Sequence, residues 1–465
     1  MKLPAWVLAG AALLGVGCRS YSEESVDKLY REVLEYDGRD DAAAAKRPSE
    51  VVWKDVEARK TLTLSDAYKI TLAQSERIAR AAEGFLQTMA VQDQSIAAML
   101  PRLDVQATQF YQDRVPASFT SGVVTTSSNR RQIAVLLSQP LFHGLREFAA
   151  FRAAKYNTEA AKNAFETERR LVFQLVAQAF FNALFFESQQ RILEDAVKNS
   201  SDRLREMRAR QEQGIARKTE VLLIETQVAS DEAQLNRGRQ ALELARTQLS
   251  FLVGKPIGLP LADDLVEPPV PADVTPLLAR ALEERSDLRE RRAVALSAEQ
   301  QIGVVTGEHY PVLDLNASYF VDRDNYSAFQ QEVDWEALLT LTFNLFKGGD
   351  IRARTIQAES QFRVALLDRD ELIRQIEAEV RNAHVTWRLD RDLIVTLQTR
   401  ERTSKENFAQ VQSEYRQGIA GVSNLEVLVA QNQNLSAQLE LERARMQSKL
   451  DWFQLENAQG RIPVR

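Results

Sequence analysis

The chain has 465 residues, with 59 Lys plus Arg against 65 Asp plus Glu, a net charge of −6 and a calculated pI of about 5.5. No stretch is basic enough to form a nucleic-acid groove, so nucleic acid is excluded as a partner. One Cys and three His (143, 309 and 384) leave no intrachain disulfide, no thiolate cluster and too few ligands for a zinc centre. Only 18 Gly and 13 Pro beside 45% hydrophobic residues favour long helices over a turn-rich sandwich.

Lys2 is followed by the apolar run 3–14, then Gly15-Val16-Gly17-Cys18. A basic start, a short apolar stretch and small residues read as a secretory signal over 1–18. The stretch is too short for a membrane span, and no other segment approaches 18 continuous apolar residues. The single Cys closes this segment. It resembles a bacterial lipobox, with Gly15 where Leu is usual, and the resemblance implies that Cys18 is lipidated and becomes the mature N-terminus. Arg19 in place of Asp implies, by the same resemblance, delivery to the outer membrane. Residues 19–60 are polar, with Asp37-Gly38-Arg39-Asp40-Asp41 and an Ala run, and read as a poorly packed extension.

From 61 onward the chain is written twice. Leu100-Pro101-Arg102-Leu103-Asp104-Val105 matches Tyr310-Pro311-Val312-Leu313-Asp314-Leu315 at an offset of 210. Leu141-Phe142-His143-Gly144 matches Leu345-Phe346-Lys347-Gly348 at 204, and Gln213-Gly214-Ile215-Ala216 matches Gln417-Gly418-Ile419-Ala420 at the same offset. Such ordered anchors mark an internal duplication. The repeats are assigned to 61–265 and 266–465, each running helix, strand pair, very long helix, turn, helix.

The long helices are expected over 146–213 and 348–417. The first lacks Gly and Pro and is rich in Ala, which permits close helix approach. The second, about 70 residues, spans roughly 105 Å at the helical rise and needs partners along its length. After Gly214, the line Val221, Ile224, Val228, Asp231, Leu235, Gly238, Leu242, Ala245, Leu249, Leu252 steps by three and four, a heptad seam. Leu425, Leu428, Asn432, Leu435, Leu439, Glu442, Met446, Leu450, Phe453 is the line expected in the second repeat. Between helices, period-two patterns predict strands at about 103–113, 131–142, 312–323 and 334–346. Aromatics gather near their ends (Phe110, Tyr111, Phe142, Tyr310, Tyr319, Trp335, Phe346), as in an outer-membrane barrel. A soluble antiparallel sheet shows the same alternation. Four strands cannot close a transmembrane barrel, which needs about eight, so several chains would have to share one: two copies give 8 strands and three give 12.

Helix–hairpin–long-helix units written twice resemble the TolC-like outer-membrane efflux protein family. Leu62-Thr63-Leu64-Ser65-Asp66-Ala67 resembles that family's opening segment. Ala281-Leu282-Glu283-Glu284-Arg285-Ser286-Asp287-Leu288 resembles the start of its second half, with Ser286 where Pro is usual. Ala245 to Pro256 resembles the close of its first half. The resemblance implies a mainly α chain with transmembrane β: a homotrimer with a 12-stranded barrel in outer-membrane lipid and a coiled-coil tunnel in the periplasm. It further implies passive export of substrate delivered by an inner-membrane pump and a periplasmic adaptor, with no enzyme activity and no cofactor.

The turns at Gly214-Ile215-Ala216 and Gly418-Ile419-Ala420 are expected at the periplasmic tips, with Thr219 and Ser423 capping the helices that follow. In the family such tips meet the adaptor. Glu426 matches the first acidic residue that the family places at the tunnel constriction, and Val429 stands where the second belongs. Three copies of Glu426 would form a carboxylate ring that favours cations. The other reading is a glutamate stabilised by the start of its helix. No P-loop, G-x-G-x-x-G, G-x-S-x-G or H-E-x-x-H occurs. His143 and His309 read as strand-end residues, and His384 as a helix seam or surface residue. A lipid-anchored coiled-coil spacer without a pore is the alternative, and the strand pairs distinguish the two because a spacer needs none.

Overall fold

A computed structural model describes residues 48–111, 129–323, 334–417 and 422–463. Cys18 and Gly418 to Ala420 lie outside them. The elements run α1 (Pro48–Arg59), α2 (Leu64–Gln74), α3 (Glu76–Ala97), β1 (Arg102–Tyr111), β2 (Asn129–His143), α4 (Arg146–Glu212) and α5 (Lys218–Val253). The second half follows with α6 (Thr275–Glu284), α7 (Ser286–Thr306), a 3-10 turn (Gly307–His309), β3 (Val312–Arg323), β4 (Trp335–Thr342), α8 (Asp350–Gln417) and α9 (Asn424–Ala458). The order in each half is the expected one. β4 ends at Thr342 rather than 346, and Phe343 and Leu345 continue outside the strand.

The chain divides into two compact units, and α4 and α8 contribute to both. One comprises Met1–Glu83, Phe165–Ser286 and Ile373–Arg465. Its centre is aromatic. Phe173 meets Tyr68 edge-on at 5.1 Å between centroids, and Phe453 packs on Phe173, Phe181 and Trp452 at 5.7, 5.5 and 4.8 Å. By length and composition α4 holds a stretch apolar enough to cross a bilayer. Its Phe173, Phe180 and Phe181 are instead buried in this core. α2 opens with a capping box in which the Thr63 hydroxyl accepts from the Asp66 N–H, and Arg59 pairs with Asp66 at 2.9 Å. The 19–60 stretch is therefore packed at its end: Val56 of α1 is fully buried, and Lys255 Nζ sits 5.2 Å from the Trp53 ring. One apolar residue per turn sufficed where the sequence pattern showed mainly charge.

The α5 seam holds. Eight of the ten named residues are buried, with Val228 and Leu252 half-buried. In α9 the expected line holds only in part: Leu428, Leu435 and Phe453 are buried and Leu439, Glu442, Met446 and Leu450 half-buried, but Leu425 and Asn432 are exposed. The observed line is Val427, Ala430, Ala437, Leu441, Ser448, Asp451, Leu455, Ala458. It matches Val221, Ile224, Asp231, Leu235, Leu242, Ala245, Leu249 and Leu252 at an offset of 206, not 204. The second turn carries two more residues than the first between its Gly and its helix, and two residues swing a helix face by about 200°. α9 also buries Leu428, Leu435 and Phe453 because it packs on more than one neighbour. Leu435 joins Leu193, Ala196 and Leu235, while Leu441 joins Ile394 and Leu397 of α8.

The other unit comprises Gly84–Ala164 and Asp287–Leu372. Here the Ala-rich start of α4 lies close to α7: a Cβ on Gly303 would stand 3.2 Å from Ala149 Cβ, and Ser297 Oγ donates to the Ala153 carbonyl at 3.1 Å. The four strands form one antiparallel sheet in the order β1-β2-β3-β4. β2 and β3, from different repeats, pair in its middle, with irregularities at Ile133/Ala134 and Pro140/Phe142.

Candidate functional site: sheet faces and hairpin tips

Antiparallel partners point to the same side of a sheet. The register therefore builds one face from the sequence alternation. Leu103 is opposite Leu137, Leu137 opposite Ala317 and Ala317 opposite Ala337. One row on, Val105, Val135, Tyr319 and Trp335 follow one another. The other face carries Asp104, Leu136, Ser318 and Glu336 in one row. The apolar row is uncovered at its ends, with Val105 74% and Trp335 59% exposed. An apolar face backed by a polar one, with β1 and β4 as outer strands, has the chemistry of a barrel segment between lipid and water. An open strand edge leaves backbone N–H and C=O groups unpaired, which hydrocarbon cannot satisfy.

The strand-to-helix turns use glycines. A Cβ on Gly144 (φ +66°) would lie 2.1 Å from the Gly307 carbonyl oxygen, so only Gly fits. Around this turn His143 bridges Glu147 and Asp314 at 2.6 and 2.7 Å. His309 closes the 3-10 turn. His384 is buried, with Nε2 at 2.7 Å from the Pro271 carbonyl.

At the α4–α5 tip, Gly214 takes φ +74° in open space. The Ile215 and Ala216 N–H groups both donate to the Arg210 carbonyl, at 2.9 and 3.3 Å, closing the end of α4. Ile215 is 70% exposed, whereas Ala216 packs on Met207, Val221 and Ile224. Thr219 is not the cap. α5 begins at Lys218 with Arg217 in the capping place, and Glu220 accepts from the Arg217 N–H at 3.0 Å. The first turn is two residues shorter than its copy, which moves the helix start ahead of Thr219.

Ser423 is a cap as expected. Its hydroxyl accepts from the Glu426 N–H at 3.3 Å, and Glu426 Oε2 accepts from the Ser423 N–H at 2.7 Å. The Glu426 carboxylate, still exposed, is thus fixed by its own helix start.

The sequence reading missed the joint behind the tips. Arg203 of α4 reaches the Asn424 side chain and, at 3.3 Å, its carbonyl. Arg203 and Arg210 stand 5.7 and 5.6 Å from the Tyr415 ring, whose hydroxyl donates to Met207 Sδ at 3.4 Å. Burial lowers the Arg203 pKa to about 10 and raises that of Tyr415. An Arg at i, an Arg at i+7 and a Tyr in the facing long helix were the available signal. Among the described residues no group of His, Cys, Asp and Glu could hold a metal ion.

A model of the family described as "Outer membrane efflux protein" matches residues 67–255 and 277–461. Among curated proteins, the chain is 24% identical over 327 residues to the alkaline protease secretion protein AprF of Pseudomonas aeruginosa, covering 69% of this chain and 67% of that one. It is 21% identical over 349 residues to nodulation protein T of Rhizobium leguminosarum bv. viciae, at 72% and 70% coverage. Among solved structures, the outer membrane protein VceC of Vibrio cholerae superimposes with a TM-score of 0.74 at 19% identity, over 88% of this chain and 98% of that one. The CmeC outer membrane channel of Campylobacter jejuni gives 0.74 at 17% identity, over 92% and 91%.

Proposed function

Because this chain belongs to the outer membrane efflux protein family, and so is an outer-membrane channel of the kind that serves tripartite efflux and secretion systems, we propose that it works as a homotrimer. Three copies bring twelve strands, four from each chain. The observation that carries this is the sheet: an apolar face over four strands whose outer members, β1 and β4, can continue only into other copies.

In this reading the helical tunnel stands in the periplasm and conducts passively. A periplasmic adaptor docks on the tips, at Gly214, Ile215 and Ala216 and at Ser423, together with Gly418, Ile419 and Ala420, the residues that match the first tip in sequence. Exposed Ile215 supports that role, since a bare aliphatic side chain at a turn suits a protein partner. An inner-membrane pump supplies the energy. Cys18 carries the lipid that anchors the N-terminus. Glu426 lines the constriction in three copies, a placement its exposed carboxylate supports.

Conductance in a planar lipid bilayer tests the reading. Wild-type protein is expected to give discrete channels, and Glu426→Ala to lower their cation preference. Well-folded protein that never inserts would count against the shared twelve-stranded barrel. Channels with unchanged selectivity in the variant would remove Glu426 from the pore and leave the trimer intact.

A further inference from the structure

In the unit built around Phe453, the two long hairpins meet through α4 and α9. Leu435 of α9 packs with Leu193 and Ala196 of α4 and with Leu235 of α5, and Leu441 of α9 packs with Ile394 and Leu397 of α8. α5 and α8 are left on the flanks, and each shows a second apolar line away from its packed one. On α5 the line is Leu244 and Phe251, 65% and 79% exposed. On α8 it is Val385, Leu389 and Leu393, all exposed. Leu244 and Phe251 each stand two residues beyond a buried seam residue, Leu242 and Leu249, and so lie about 200° round the helix from it. Val385 and Leu389 stand in the same relation to buried Ala383 and Trp387.

The two patches stand at one height. α5 and α9 both run away from the tips, and Leu235 is level with Leu435. The step from Leu435 to Leu441 equals that from Leu235 to Ala241, and Leu441 touches Ile394 and Leu397 of α8, which runs the other way. Counting on from there at about 1.5 Å per residue sets Leu244 at the height of Leu393 and Phe251 at the height of Val385, to within about one turn. The patches are also of nearly equal length, roughly 10 Å and roughly 12 Å. Between Leu244 and Phe251 the same side of α5 offers Thr247 and Gln248 and no charge, while Arg388 and Asp392 border the α8 patch. Towards the tip the α8 line turns polar, through Thr396, Arg400 and Thr403.

In a tunnel the symmetry axis runs along the helices, and rotation about it keeps every residue at its own height. Unlike patches on opposite flanks can then join copy to copy in a closed ring only if they are level. Patches offset along the axis would build a screw instead. We infer that Leu244 and Phe251 of one copy pack on Val385, Leu389 and Leu393 of the next, as the two halves of one head-to-tail interface repeated round the ring. A second copy is thus the partner of both flanks. Apolar patches with a charged border have the layout of an interface core and its rim. The pairing rests on the homotrimer reading and names the surfaces that close it. It holds whether or not Glu426 lines a pore.

Cysteine cross-linking of the purified full chain in detergent tests it, with light scattering giving the mass. The wild type, whose one cysteine is Cys18, sets the background. Two level pairs, Leu244→Cys with Leu393→Cys and Phe251→Cys with Val385→Cys, are expected to give covalent dimers and trimers with a short bismaleimide, and nothing larger. Each single substitution should stay at background, because the two flanks differ. The crossed pair, Phe251→Cys with Leu393→Cys, sets its thiols about 12 Å further apart along the axis and should react about tenfold less. The trimer mass of each variant before the reagent shows that it folds and assembles. Trimers in which neither level pair reacts would overturn the pairing and leave the homotrimer standing. A single variant that forms covalent dimers would overturn it too, by showing that like faces meet. A wild-type mass of one copy would remove the homotrimer itself, and the pairing with it.

Discussion

The carboxyl of Asp451 in α9 is buried against that of Asp390 in α8, with Glu267 of the inter-repeat segment adding a third negative charge nearby. Glu267 is itself held by Arg391 and Ser448, each at 3.0 Å, and Gln447 donates to Asp451 at 3.0 Å. Two carboxyls pressed together away from water cannot both ionise cheaply.

Burial first, and the Asp390 carboxyl second, push Asp451 up to about 7. An aspartate in an unfolded chain titrates near 3.9. Between about pH 4 and pH 7 the folded chain therefore holds a proton that the unfolded chain lacks, and this contribution to stability falls as pH rises through that window. Asp231, raised by burial in the α5 seam, acts in the same direction. Asp451→Asn is expected to flatten the fall and to stabilise the protein at pH 8 by on the order of a few kcal/mol. Thermal unfolding of variant and wild type at pH 5 and pH 8 checks this. A gap between them that does not widen with pH would refute it.

The duplicated glycines at the strand-to-helix turns should not be equally replaceable. Gly144 and Gly348 share positive φ, but a Cβ meets the Gly307 backbone at the first and open space at the second. Gly348→Ala pays only the left-handed backbone cost, about 1–2 kcal/mol. Gly144→Ala adds a backbone clash and is expected to cost at least about 2 kcal/mol more. Denaturant midpoints of the two variants, measured side by side, decide it.

Phe453 is the hub of the aromatic core, in contact with rings from two helices. Phe453→Ala is expected to cost about 3–5 kcal/mol, and Phe453→Leu distinctly less. Unfolding of the helical unit, followed by circular dichroism, measures both.

The cap at the start of α9 has a separable role. Ser423→Ala removes one acceptor for the Glu426 N–H and should cost about 1 kcal/mol, whereas Ser423→Asp should be close to neutral. Exchange protection over 424–430 reports it. If conductance changes in Glu426→Ala but not in Ser423→Ala, the effect belongs to the carboxylate itself and not to loss of the cap.

The elements that the sequence revealed best are those in which one physical period runs long. The long helices ended within two residues of their Gly-bounded limits, and the α5 seam was readable because its line is apolar save Asp231 and Gly238. The α9 seam was legible only in part, since the helix buries Ser448 and Asp451 beside the expected Leu428, Leu435 and Phe453 and exposes Leu425 and Val429. Carrying the 204 offset across the tip added to the mismatch. Thr219 attracted the cap assignment by residue type, although backbone geometry put Arg217 there. Ser423, with Glu426 three residues on, is a capping box visible in the sequence alone. The Tyr415 joint and the Asp390–Asp451 pair join residues from distant parts of the chain, and no local pattern announces them.

α4 and α8 contain 67 and 68 residues, and α5 and α9 contain 36 and 35. The two copies nevertheless differ by six residues between the proline ahead of the first strand (Pro101, Pro311) and the glycine that follows the second (Gly144, Gly348), and by two at the tip. Every sizeable gain or loss of length falls where the chain reverses. A residue inserted inside a helix would rotate all that follows by about 100° and throw each later seam position off its partner. One inserted in a turn only changes a loop. The helices thus behave as rulers whose markings were set before the sequence was copied, and drift in composition has been free where drift in length has not.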